Sequence, residues 1–163
     1  MPRWLASHLR SRQVSRVIYG AIIGLALVVA LEVHPPEAGA VAATLVGTAL
    51  AVGLAEAYSE VVALETRGRR HARRSELRHL GADVAAVATG IAFPAVYFVL
   101  AAADVLEKAT AFDLAKWSGL GVIGLYGFVG ARASGTSLPG SLLQAATVAL
   151  IGGFLIALKA LVH

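Results

Sequence analysis

Glu56 and Glu60 stand four residues apart in an otherwise apolar stretch of the chain. At that spacing two side chains share one face of an α-helix, about 6 Å apart. Carboxylates so close repel when both are ionised, and a proton held by one of them relieves the conflict. A divalent cation relieves it too, so proton and metal compete for one place. Oxygen ligands suit Mg²⁺, Mn²⁺ or Fe²⁺ better than soft Cu(I). Asp83 opens the third apolar stretch at the same end of the chain's path and extends the pair to a carboxylate cluster. The alternative for all three is an interfacial position. Glu56 and Glu60 would then be wet and paired with nearby arginines, and Asp83 would be an acid favoured at a helix amino terminus.

The remaining polar candidates are weaker. Tyr58, Tyr97 and Tyr126 offer hydroxyls to a substrate, although tyrosine also serves at membrane interfaces and in packing. Pro94 is expected to kink its helix, and a kink frees a carbonyl for a ligand. Gln144 is a lone amide suited to bridging helices. His71 and His79 lie among arginines, which repel metal cations, while Glu65 and Glu76 beside the same arginines read as solvated. The chain has no cysteine, which excludes disulfides, zinc-thiolate sites and Cys nucleophiles. It has no hydrolytic triad, phosphate loop or HExxH motif, so the expectation is a protein that is not an enzyme and holds no permanent cofactor.

The elements that position these residues follow from composition. Of 163 residues, 58% are hydrophobic and 15% charged, and mean hydropathy is +0.74. A soluble domain averages about 45–50% apolar and about 25% charged, so part of this surface must be covered by lipid. The apolar stretches are continuous and rich in Ala, Leu and Gly, unlike the alternating strands of a barrel. The expected fold is therefore an all-α integral membrane protein crossing the bilayer about five times, at 17–33, 38–57 with a helical extension to 64, 80–103, 115–131 and 138–162. Each stretch reaches or nearly reaches the roughly 20 residues that span the hydrocarbon. The first is among the shortest and must snorkel Arg16 or thin the bilayer. A cleaved signal peptide is the rival for it. Glu32, His34 and the Pro35-Pro36 pair, which separate its apolar core from Ala38-Gly39-Ala40, count against cleavage.

Residues 1–16 carry Arg3, Arg10, Arg12 and Arg16, with Leu5 and Leu9 four apart on one helical face and Trp4 beside them. They read as a basic amphipathic segment on the inner leaflet, or else as a disordered basic tail. The rest, 17–163, forms one transmembrane domain with an Arg-rich loop at 66–79. In and beside that loop, Arg67, Arg69, Arg70, Arg73 and Arg74 are expected to meet lipid phosphates. The net charge of +4 and pI near 9.9 thus reflect membrane flanks, not a nucleic-acid surface. Positive loops stay inside, which places the amino terminus, the Arg-rich loop and the Arg132 loop in the cytoplasm and the carboxyl terminus outside. The membrane is expected to be the cell (inner) membrane.

Small residues signal close helix contacts. Gly20 and Gly24 form a GxxxG pair, Ala43, Gly47, Ala51 and Ala55 make a stripe at four-residue spacing, and Gly121, Gly124, Gly127 and Gly130 wind around their helix at every third residue.

Taken in order, these segments resemble the vacuolar iron transporter (VIT) family over the whole chain. The family's fourth helix ends in glycine, followed by a short basic loop with Gly and Ser and a fifth helix containing Ile-Gly-Gly. Here Gly130-Ala131-Arg132, Gly135, Ser137 and Ile151-Gly152-Gly153 keep that order. Tyr19-Gly20-Ala21-Ile22-Ile23-Gly24 resembles the family's Tyr-Gly-Ala-Asn-Asp-Gly. Leu54-Ala55-Glu56 with Ser59-Glu60 resembles Leu-Ala-Asp followed by Ser-Met, and Gly90 and Pro94 match a third-helix glycine and proline. The resemblance implies five helices, a homodimer, and exchange of a divalent cation such as iron or manganese for protons along a path of acids, methionine and tyrosine. The departures are specific. Ile23 replaces the first-helix aspartate, Glu60 replaces the methionine, and Ala63-Leu64 replaces a Gly-Glu, with Glu65 one place later. Tyr97 and Phe98 replace a second proline and tyrosine, and no Glu-rich cytoplasmic domain interrupts the Arg-rich loop. The expected function is a VIT-like divalent-metal transporter using Glu56, Glu60 and Asp83. The alternative is a membrane interaction or scaffold protein that keeps the fold and has lost transport.

Overall fold

The computed structural model describes residues 11–68 and 74–162. Residues 1–10, 69–73 and 163 lie outside it, and with them most of the expected amphipathic segment and Arg69, Arg70 and Arg73. The elements are α1 (Ser11–Leu31), α2 (Ala38–Gly68), α3 (Arg74–Ala92), α4 (Ala95–Ala102), α5 (Lys108–Ala133) and α6 (Leu138–Val162). No strand occurs among the described residues.

Each break has a local cause. After α1, Pro35 and Pro36 deny the backbone two donors, and helix resumes when Val41 N donates to Glu37 O at 3.0 Å. Pro94 does the same inside the third apolar stretch. Its missing N–H leaves Gly90 O without a helical partner, and α3 and α4 meet there at 47°. The expected kink is present. Two helix ends close in the same left-handed way. At the end of α5, Gly135 (φ 82°) lets Gly135 N reach Arg132 O and Thr136 N reach Ala131 O. At the end of α4, Asp104 takes the same role at φ 57°, a conformation that aspartate tolerates better than most side chains.

Three helices are long and apolar enough to cross a membrane, over Val14–Leu31, Ala38–Thr66 and Lys108–Ala133, and the bent pair Leu80–Ala92 with Ala95–Ala102 makes a fourth. The apolar part of α6, Leu138–Phe154, is shorter. α1 starts at Ser11, inside the basic segment, so Arg16 is part of the membrane helix itself.

α1 is the axis of the bundle. It packs against α3 on one side and α5 on the other, with α6 beside α5 and α2 covering α3 and α4. The α1–α3 crossing is the tightest contact. A Cβ on Gly20 would fall 2.2 Å from Val87 O, and one on Gly90 would fall 2.7 Å from both Ala21 N and Val17 O. Only glycine lets these backbones approach so closely, and the GxxxG pair is consumed within the chain. Gly124 and Gly127 face α6, whereas Gly130 faces Val14 of α1, as a three-residue recurrence requires. By contrast Ala43, Gly47, Ala51 and Ala55 are all exposed or open on α2. Towards the other end, Val28, Val41, Leu45, Phe98 and Phe112 form the largest buried cluster. The Phe98 and Phe112 rings meet edge to face at 4.8 Å.

Candidate functional site

The register of the α1–α3 crossing builds the site. α1 and α3 run parallel, with Val87 opposite Gly20 and Ile91 opposite Gly24. One turn earlier the same register puts Asp83 opposite Arg16. α2 runs antiparallel to α3, with Gly53 against Val84, and this brings Glu56 to the same level. Arg16 pairs with Glu56 through Nη1, and its Nε lies 3.5 Å from Asp83 Oδ2. The three side chains are 16%, 23% and 15% exposed, respectively. One guanidinium thus stands between two carboxylates from two other helices, at the end of the bundle where α1 begins.

Glu56 and Asp83 therefore come together, as expected from their shared level. Glu60, one turn further along α2, is half-buried and stands outside this ion-pair network. Among the described residues no group of three His, Asp or Glu side chains is placed to hold a metal ion. The expected three-carboxylate cluster is replaced by two carboxylates and an arginine. Arg16 is the residue that sequence reasoning missed. Its signal was a cation two residues into an apolar span, level with acids on two neighbouring spans.

The other candidates separate. Tyr58 is 74% exposed on the outer face of α2. Tyr97 is half-buried against the large apolar cluster, and Pro94 is fully buried. The carbonyl that Pro94 frees, Gly90 O, faces α1, where a Cβ on Gly24 would lie 3.1 Å from it. That carbonyl thus lies against the backbone of α1. Tyr126 lies between two open grooves, one of about 300 Å³ reaching Thr89 and one of about 180 Å³ reaching Ser15, Ser134 and Gln144. Of the expected headgroup arginines, Arg67 lies in the last turn of α2 and Arg74 in the first of α3.

A second ion network sits at the opposite end of α1. Lys116 of α5 donates to Glu32 Oε1 at 2.7 Å and lies 2.9 Å from Asp113 Oδ1. Lys108 donates to Pro36 O at 3.2 Å. Arg16 and Glu32 are separated by ~24 Å of helix at 1.5 Å per residue, slightly less than the hydrocarbon thickness. The two networks bracket an apolar slab, whose outer surface carries exposed Leu50, Leu54, Leu125, Leu143, Leu150 and Phe154.

These features define an α-helical protein with three or four helices able to cross a membrane, and so a multi-pass membrane protein. Neither a known protein family, nor a curated protein, nor a solved structure matches this chain.

Proposed function

We propose that this protein is a multi-pass membrane transporter that moves a divalent cation of the Mg²⁺, Mn²⁺ or Fe²⁺ type in exchange for protons, with Glu56 and Asp83 as the shared acids. The observation that carries the reading is the Arg16–Glu56–Asp83 network. Ionisable groups within membrane helices are costly and tend to mark ion or proton paths. Here such groups converge from separate spans and are mostly shielded from solvent. Glu60, on the next turn of α2, gives a departing ion a further oxygen ligand. Metal binding expels a proton and protonation releases the metal, so the two loads exclude each other at Glu56. The exposed Ala43–Gly47–Ala51–Ala55 stripe suits a second copy, in keeping with the homodimer that the VIT-like pattern implies. Five crossings, with the Arg16 end in the cytoplasm, complete the reading, because the Arg-rich loop joins α2 to α3 at that end.

In proteoliposomes, Glu56→Gln is expected to abolish metal-driven proton flux while the protein keeps its helical content and monodispersity. Undiminished flux removes Glu56 from the path.

A second reading is a membrane scaffold that does not transport. The observation favouring it is that Arg16 already neutralises Glu56 and that no three-ligand group forms among the described residues. Ion-dependent stability separates the two. A transported ion raises the melting temperature according to RT ln(1 + [L]/Kd), whereas a scaffold is indifferent to every ion tried.

A further inference from the structure

We infer that the two grooves beside Tyr126 together hold one diacyl phospholipid, with an acyl chain in each and the headgroup at the end of the bundle where α1 begins. The inference goes beyond the transport reading and does not depend on it. Tyr126 of α5 and Val14 of α1 border both grooves, so the two lie side by side and overlap in depth. Small residues open them. Ala82, Ala85 and Ala86 of α3 line the first, of about 300 Å³, and Gly127 and Gly130 of α5 line the second, of about 180 Å³.

Depth sorts the polar groups. α1 and α5 meet where a Cβ on Gly130 would fall 3.0 Å from Val14 Cγ1. At this end the apolar spans start at Val14 and stop at Ala133, so Ser15 and Ser134 of the second groove stand at the edge of the hydrocarbon. Gln144 lines the same groove about one turn deeper, next to Ala145, which packs on Gly127. Ser134 Oγ donates to Gly130 O, which leaves the exposed Gln144 amide to donate to a lipid ester oxygen. Arg132, exposed in the last turn of α5, adds a cation at the mouth, and cations at this level attract lipid phosphate. The first groove is fit for hydrocarbon, because the hydroxyl of its Thr89 donates to Ala85 O. Unspecific lipid solvation has a different consequence: neither groove then matters more than any other lipid-facing surface.

The test is native mass spectrometry of the full-length chain in mild detergent with added dioleoyl phosphatidylglycerol. The wild type is expected to retain one lipid per chain. Ala85→Leu fills the first groove and Gln144→Leu removes the amide of the second, both at exposed positions. Each is expected to weaken retention about tenfold with the unfolding midpoint kept. Ala82→Leu and Gln144→Ala take the place of a variant that loses its midpoint. Leu54→Ala, on the exposed face of α2, is expected to change nothing. Lysophosphatidylglycerol, with a single chain, is expected to bind about tenfold more weakly, since a second chain adds buried CH₂ groups. Retention that ignores the change in either groove, or that Leu54→Ala lowers as much, overturns the inference. So does equal binding of the one-chain lipid. A lipid-free dimer that Ala85→Leu dissociates would put a second copy of the chain in the grooves, and overturns it too.

Discussion

The energetics of Arg16 are set by what its loss leaves behind. Glu56 and Asp83 are 23% and 15% exposed, so removing the arginine strands two largely shielded negative charges on neighbouring helices. Breaking a shielded pair costs more than the intact pair contributes, because the remaining charge has no partner. Arg16→Ala is expected to lower stability by about 1–3 kcal/mol, and Arg16→Ala with Glu56→Gln to recover part of it. Thermal denaturation of these two variants and of Glu56→Gln alone, against wild type, closes the cycle. Purely additive losses would mean that the two residues do not interact.

At the scale of elements, the α1–α3 crossing fixes the site as much as the ion pairs do. The glycines at 20 and 90 let two backbones touch, and that contact sets the register aligning Arg16 with Asp83. At Gly20 an added methyl meets a backbone carbonyl at 2.2 Å, whereas at Gly47 it meets nothing within 4 Å. Gly20→Ala is therefore expected to cost about 1–3 kcal/mol or more through overpacking. In the monomer Gly47→Ala is expected to be neutral or slightly stabilising, as alanine favours helix by about 1 kcal/mol. Unfolding midpoints in a mild detergent compare the two. A stable Gly20→Ala protein would contradict the close crossing. The break at Pro94 ends α3 and turns α4, whose Phe98 packs on Phe112 of α5.

At the scale of the bundle, the ion pairs among the described residues lie at two levels, with exposed leucines on the surface between them. Because ~24 Å of α1 separates Arg16 from Glu32, both networks fall near the edges of a bilayer, where paired charges keep partial access to water. Lipid covers the exposed leucines between them. The absence of native cysteine makes the orientation directly readable, since single introduced thiols have no background. With a membrane-impermeant maleimide on intact cells, Asp104→Cys is expected to label from outside and Ser134→Cys only after permeabilisation. The reverse pattern would put the arginine-rich end outside and overturn the proposed direction of the site.

Helical class, membrane character and helix breaks were legible in the chain because each depends on local order. Continuous apolar runs, the prolines at 35, 36 and 94, and Gly135 act over a few residues. The shared level of Glu56 and Asp83 was also legible, since depth in a bilayer follows from counting along each helix. Lateral neighbours were not. Which face of α1 met α3, and hence that Arg16 rather than Glu60 stood beside Glu56 and Asp83, depended on the register of helices far apart in sequence. A glycine-lined backbone contact fixes that register, and no local pattern encodes it. The same holds for Glu32 and Lys116, far apart in sequence, which only the packing of α1 on α5 pairs.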